Sequence, residues 1–307
     1  MDIFIQQLIN GLTLGAVYAV VALGYTMVYG IIQLINFAHG EVVMIGAMVA
    51  YSVIGALAPA GLPPLVLVLL ATGCAVPACM LIGYAMERIA YRPLRGAPRL
   101  APLITAIGIS IILQHVAMMV WSRNPLAFPQ VVKVQTYAIG GATISNVQVA
   151  IMAISLAMMA GLAVLVYRTR LGTAMRATAQ NPQVAGLMGI DADRVVALTF
   201  VIGAALAAVA GVMVATYYGI AHYTMGSQLG LKAFCAAVLG GIGNVPGAML
   251  GGVLLGLVEA LGAGYIGDLT GNVFGSNYQD VFAFIVLIGV LVLRPSGLLG
   301  ERVGDRA

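Results

Sequence analysis

The 307-residue chain is 62% hydrophobic and 8% charged, about a third of the roughly 25% charge share of a soluble domain. Its net charge of +4 hints at anionic partners, but no basic run suggests a nucleic acid, and stretches such as 197-ALTFVIGAALAAVAGVMVA-215 lack the alternation of a membrane barrel. A soluble enzyme is thereby excluded, and an all-α polytopic membrane protein in a lipid bilayer is expected.

In chain order, the N-terminal MDIFIQQ lacks the basic region and cleavage site of a signal peptide. The first apolar run is therefore expected to be retained as a span near 8–30. Residues 3–38 and 42–86 contain no Asp, Glu, Lys or Arg and predict further spans near 41–59 and 64–87. Between them stands His39-Gly40-Glu41. A carboxylate at the bilayer centre costs roughly 2.5–3.5 kcal/mol, so Glu41 is expected near the interface, paired, or facing water. One reading makes Asn36, His39, Gly40 and Glu41 the lining or gate of the cytoplasmic end of a conduit. The other has Asn36 or His39 cap the second span, with Glu41 in its first turn, where the helix dipole favours it.

Spans near 101–122 and 147–167 bracket a loop carrying Arg123 and Lys133. His115 reads as a satisfied interior histidine, and Cys74, Cys79 and Cys235, lying in apolar segments with no C-x-x-C pair, as buried thiols. In the loop 168–194, Asn181 is placed to cap a short helix that begins at Pro182 and Gln183. Val184, Leu187 and Met188 then share one apolar face, Gly189 ends the helix, and Asp191 caps the next span, near 195–217. That face either docks a cytoplasmic protein or packs back on the bundle or the headgroups. The segment 239-LGGIGNVPGA-248, with Gly240, Gly241, Gly243 and Asn244, is either a break beside a pathway or a tight turn. Glu259 lies within a span, as a bundle-facing pair or a substrate contact.

Most of the Lys and Arg fall in three clusters: Arg88, Arg92, Arg95 and Arg99; Arg168, Arg170, Arg176 and Arg194; and Arg294, Arg302 and Arg306. The positive-inside rule makes these cytoplasmic, with the N-terminus periplasmic and the C-terminus cytoplasmic. Parity then requires an odd number of crossings after 219; one is too few for the length, and three fit: a short or broken one at 228–243, and spans at 247–266 and 280–294. About nine spans result, within a range of eight to ten, and they form one transmembrane domain over 1–307. The arrangement suggests an inverted repeat with broken helices, its halves 1–122 and 195–296 joined by a span at 147–167 and the loop 168–194. G-x-x-x-G spacings at Gly11/Gly15, Gly226/Gly230, Gly247/Gly251 and Gly252/Gly256 predict close helix packing.

No phosphate loop and no H-E-x-x-H occur, so no catalytic residue, metal or cofactor is expected, and any ATP must be bound by a partner. A self-contained channel and an ion-coupled transporter for a small solute such as urea or an amide remain open. No paired N-P-A motif supports the channel.

The segments 22-ALGYTMVYGIIQLINFAHGEVVMIGA-47, 87-ERIAYRPLR-95, 170-RLGTAMRA-177, 197-ALTFVIGAALAAVAGV-212 and 232-KAFCAAVLGGIGNVPGAMLGG-252 resemble the branched-chain amino acid permease family of bacterial ATP-binding-cassette importers, in its LivH-type branch. The resemblance runs nearly end to end. It implies an inner-membrane subunit passing leucine, isoleucine or valine, paired with a second, homologous permease. Two cytoplasmic ATP-binding subunits and a periplasmic amino-acid-binding protein complete such an importer. Residues 182–188 match the place where these permeases present a coupling helix, although relatives often carry an acid where this chain has Gln180 or Asn181.

Overall fold

A computed structural model of the chain describes residues 2–98, 100–139, 141–269 and 278–300; Arg99, Arg302 and Arg306 lie outside them. The helices are α1 (Asp2–Ile32), α2 (His39–Leu57), α3 (Pro64–Ala85), α4 (Leu100–Val120), α5 (Asn146–Arg168), α6 (Arg170–Gln180), α7 (Pro182–Leu187), α8 (Ala192–Tyr218), α9 (Met225–Gly240), α10 (Val245–Leu269) and α11 (Gln279–Leu293). Helix α3 runs on into a π-helical segment, Met86–Tyr91. Short strands close one end of the bundle: β1 (Leu126–Ala127) pairs with β4 (Ile220–Ala221), and β2 (Thr136–Ile139) forms a hairpin with β3 (Ala142–Ser145). This hairpin end was not anticipated from the sequence. The arginines between α3 and α4 and those around α6 mark the opposite, basic end.

Among the described residues, seven helices are long and apolar enough to cross a membrane. Helices α9, with 16 residues, and α11, with 15, occupy the places of the seventh and ninth expected spans. Both fall short of the roughly 20 residues that one crossing takes.

The helix ends follow local chemistry. Ser145 and Gln148 form a reciprocal capping box at the start of α5, and Asp191 Oδ1 accepts from Arg194 N at 3.1 Å to start α8. Pro64 opens α3, at a position where no backbone donor is needed.

The packing repeats. Helix α1 lies on α10 as α8 lies on α3, and α2 fits between α3 and α8 as α9 fits between α10 and α1; the outer helices differ, α4 resting on α2 while α11 rests mainly on α10 and also touches α9. Apolar side chains gain little by leaving lipid for one another, so such contacts depend on close approach. A Cβ on Gly11 would lie 2.9 Å from Leu257 Cα, and one on Gly15 2.8 Å from Val253 Cα. The expected small-residue seams are thus real seams: Gly252 and Gly256 face α1, and Gly247 and Gly251 face α9.

Candidate functional site

Helix α1 continues past Gly24 to Ile32, and Gln33, with φ at +53°, turns the chain. Residues 33–36 are non-helical. They carry the chain back into the bundle, where α2 starts with His39, Gly40 and Glu41 all buried. The His39 ring fills the space above Gly24, where any Cβ would collide with it, and meets the Tyr25 ring edge-on at 4.9 Å. Its Nε2 has no hydrogen-bond partner among the described residues.

Glu41 Oε1 accepts from Ser110 Oγ at 3.1 Å and from Gln114 Nε2 at 2.8 Å, both on α4. These donors lie about 15 and 21 Å along α4 at about 1.5 Å per residue, close to the middle of its 21 residues. Glu41 therefore sits at mid-depth, not at the cytoplasmic end where the sequence reading put it. The reason is the reversal at 33–38, which contains no charge to mark it. Neither Asn36 nor His39 caps α2, whose N-cap is Ala38 with no side-chain cap. The Asn36 carbonyl accepts from His39 N at 3.0 Å, and Asn36 Oδ1 accepts from Tyr91 Oη at 3.0 Å.

The first turn of α9 crosses the first turn of α2. A Cβ on Gly226 would stand 2.6 Å from Glu41 Oε2 and 2.9 Å from Glu41 Cα, and one on Gly230 3.0 Å from Gly40 Cα. Two helix N-termini thus meet at Glu41. The positive dipole ends of both helices face the Glu41 carboxyl group, while the α2 backbone donors are themselves taken, His39 N by the Asn36 carbonyl and Glu41 N and Val42 N by the Ala38 carbonyl. Glu41 Oε2 has no hydrogen-bond partner among the described residues. Cavities beside Tyr18 and Gly243 measure about 10 and 80 Å³. Neither is lined by Glu41, which is buried together with His39.

The other candidates lie elsewhere. Gly240, Gly241, Gly243 and Asn244 form the turn between α9 and α10, about 20 Å from Gly226 along α9. Gly241 and Gly243 have φ of +106° and +94°. Asn244 holds the turn by accepting from Gly247 N at 3.1 Å and donating to the Leu299 carbonyl at 2.8 Å. Glu259 is buried and pairs with Lys232 at 2.7 Å, and Lys232 also pairs with Asp280 at 2.7 Å and lies 5.8 Å from the Tyr18 ring centre. His115 is exposed on α4 rather than interior, its Nδ1 2.9 Å from the Ile111 carbonyl. Cys79 and Cys235 are buried but Cys74 is exposed. No group of three His, Cys, Asp or Glu able to hold a metal occurs among the described residues.

At the basic end, Asn181 Oδ1 accepts from Gln183 N at 3.0 Å and Val184 N at 3.1 Å, opening α7. Ala185 is buried, whereas Val184, Leu187 and Met188 are 53, 87 and 79% exposed. Gly189, at φ +82°, ends the turn. The apolar face is therefore turned outward, not back onto the bundle. Nearby is a cluster that sequence reasoning missed. Asp193, in the first turn of α8, takes Arg92 and Arg95, and Arg95 also pairs with Glu87, whose side chain is 2% exposed. Its signal was an acid, Glu87, inside a basic cluster.

Comparison with known proteins then places the chain. Residues 7–291 match the family described as branched-chain amino acid transport system, permease component. The high-affinity branched-chain amino acid transport system permease protein BraD of Pseudomonas aeruginosa is 49% identical over 97% of this chain and 96% of its own. LivH proteins described in the same words from Escherichia coli K12 and Salmonella typhimurium are each 45% identical, again over 97% of this chain and 96% of theirs.

Proposed function

This chain belongs to the branched-chain amino acid transport system permease family, and we propose that it is the translocating subunit of an ATP-driven importer for leucine, isoleucine or valine. The observation that carries the reading is the 49% identity to a high-affinity branched-chain amino acid permease over 97% of the chain. The importer lies in a bacterial inner membrane, with the basic end of this subunit cytoplasmic and its N-terminus periplasmic. A second, homologous permease lies beside it, two cytoplasmic subunits bind and hydrolyse ATP, and a periplasmic binding protein delivers the amino acid. This chain needs no cofactor and performs no covalent chemistry.

Two features support this division of labour. The outward apolar face of α7 gives an ATPase a place to push, and Asn36, His39, Gly40 and Glu41 lie between the non-helical residues 33–36 and the crossing of α2 with α9, irregular backbone of the kind that lines the sites of transporters built from repeats. Glu41 is buried, as one phase of alternating access requires.

The test is purification of this chain from its native membrane in mild detergent, with mass spectrometry of bound proteins, together with leucine uptake by cells lacking it. Recovery of an ATPase and a second permease, and loss of uptake in those cells, is the expected result. A lone oligomer free of any ATPase, with leucine uptake intact in the deletion strain, refutes the proposal and favours a channel or ion-coupled carrier for another small solute.

A further inference from the structure

The motif 87-ERIAYRPLR-95 stands between the two candidate regions, bonded to α8 through Arg92 and Arg95 and to Asn36 through Tyr91. Three residues, Met188 to Ile190, join α7 to Asp191, the cap of α8, and Ile190 N donates to the Ala185 carbonyl at 3.0 Å. A displacement of α7 is therefore carried directly to the first turn of α8. There Asp193 offers one carboxylate oxygen to Arg92 and the other to Arg95. Arg95 extends its second amino group to Glu87, whose burial makes it depend on that partner.

Glu87 and Tyr91 belong to the π-helical segment Met86–Tyr91, an irregularity frequent at functional positions. Tyr91 is 1% exposed, its ring centre 5.0 Å from that of Phe200 on α8. Its hydroxyl donates to Asn36, whose carbonyl accepts from the first backbone donor of α2. Each link is a contact between different elements: α8 to the π segment, the π segment to residues 33–38, and those residues to α2.

We infer that Asp193, Arg92, Arg95, Glu87 and Tyr91 are positioning residues that transmit movement of α7 to Asn36 and the start of α2, coupling ATP hydrolysis to opening of the mid-membrane break. The inference rests on the reading that α7 docks an ATPase. A simple brace makes the same contacts, so the test needs a readout that bracing does not move. That readout is the amount of leucine transported per ATP hydrolysed.

The assembled importer, with its ATPase subunits, second permease and binding protein, is reconstituted into vesicles carrying wild type, Asp193→Asn, Asp193→Glu or Tyr91→Phe. The Asp193→Asn and Tyr91→Phe variants are expected to keep the ATPase bound and hydrolysing, while leucine moved per ATP falls about two- to thirty-fold, the span of coupling that residues along such connections contribute. Asp193→Glu, which keeps the carboxylate, is expected to recover most of the loss. Unchanged transport per ATP in both variants, whatever happens to their thermal stability, overturns the inference. If Asp193→Asn fails to assemble, Tyr91→Phe decides alone, since it deletes a single hydroxyl. Failure of the wild type itself to bind an ATPase or to import leucine with ATP sinks the underlying reading instead, so the two failures are told apart.

Discussion

Replacing Gly40 by alanine puts a methyl group where two backbones already touch. The new Cβ would fall on the Gly226 carbonyl oxygen and lie 2.8 Å from Gly230 Cα, whereas carbon atoms pack comfortably at about 3.5–4.0 Å. Both obstacles are backbone, so no side chain can swing away and α9 must retreat from α2 by roughly 1 Å. Overpacking of this kind costs about 1–3 kcal/mol. The intrinsic helix preference of alanine over glycine returns at most about 1 kcal/mol, and less in a first turn. A net loss of roughly 1–2 kcal/mol is expected. Gly55 and Gly73 are the controls: nothing lies within 4 Å of a Cβ at either, so alanine there should be neutral or stabilising. The assay is thermal unfolding of detergent-purified protein, paired with leucine uptake. Gly40→Ala should melt below wild type and transport poorly, while Gly55→Ala melts at or above it. A Gly40→Ala protein as stable and active as the Gly55→Ala control would show that α2 and α9 do not meet as described.

Three further outcomes follow from the same geometry. Glu41→Gln keeps an acceptor for Ser110 and Gln114 but removes the carboxyl group, so uptake should fall while expression and subunit association stay normal; unchanged uptake removes Glu41 from the pathway. Lys232→Met leaves Glu259 and Asp280 without their shared cation, and should destabilise the protein by about 3 kcal/mol, the lower end for a broken buried pair. Glu259→Gln, which leaves Lys232 paired with Asp280, should be milder, and equal melting temperatures for the two would contradict this arrangement. Leu187→Asp combined with Met188→Asp alters only side chains 87 and 79% exposed, so the subunit should fold unchanged yet lose its ATPase on purification; retained ATPase would mean that α7 is not the docking face.

The helices were legible because the signal for a span is local: twenty or so apolar residues, bounded by charge, need no knowledge of the rest of the chain. Predicted limits such as 147–167 and 195–217 lie within a few residues of Asn146–Arg168 and Ala192–Tyr218. The exposed face of α7 was legible for the same reason, since Asn181, Pro182 and Gly189 specify their own short helix. Depth was not legible. Counting positive charges fixes which end a loop faces, but the reversal at 33-QLINFA-38 has no charge, and its support comes from Tyr91, 55 residues away. The partners of Glu41 lie 69 and 73 residues along the chain. The sequence shows that Glu41 needs a partner; only the fold says which.

The repeated packing pattern also explains why polar groups stand where they do. Helices α4 and α11 are the most peripheral members of their halves, exposing Ile104, Ile112 and Met119 in one and Ile285, Ile288 and Val292 in the other. In a bilayer, those apolar surfaces are as well placed against lipid as against protein, so hydrophobicity alone cannot hold either helix to the bundle. Each is instead tied by a polar bond to a neighbouring helix: α4 through Gln114 and Ser110 to Glu41 on α2, and α11 through Asp280 to Lys232 on α9. The backbone arrangement is shared, but the chemistry is not. The α2 tie is an uncharged donor pair on a carboxylate, and the α9 tie is an ion pair reinforced by Glu259. The two outer helices are therefore held by bonds of different strength: the hydrogen bonds on Glu41 hold α4 to α2, whereas the shared cation binds α11 to α9 and, through Glu259, to α10.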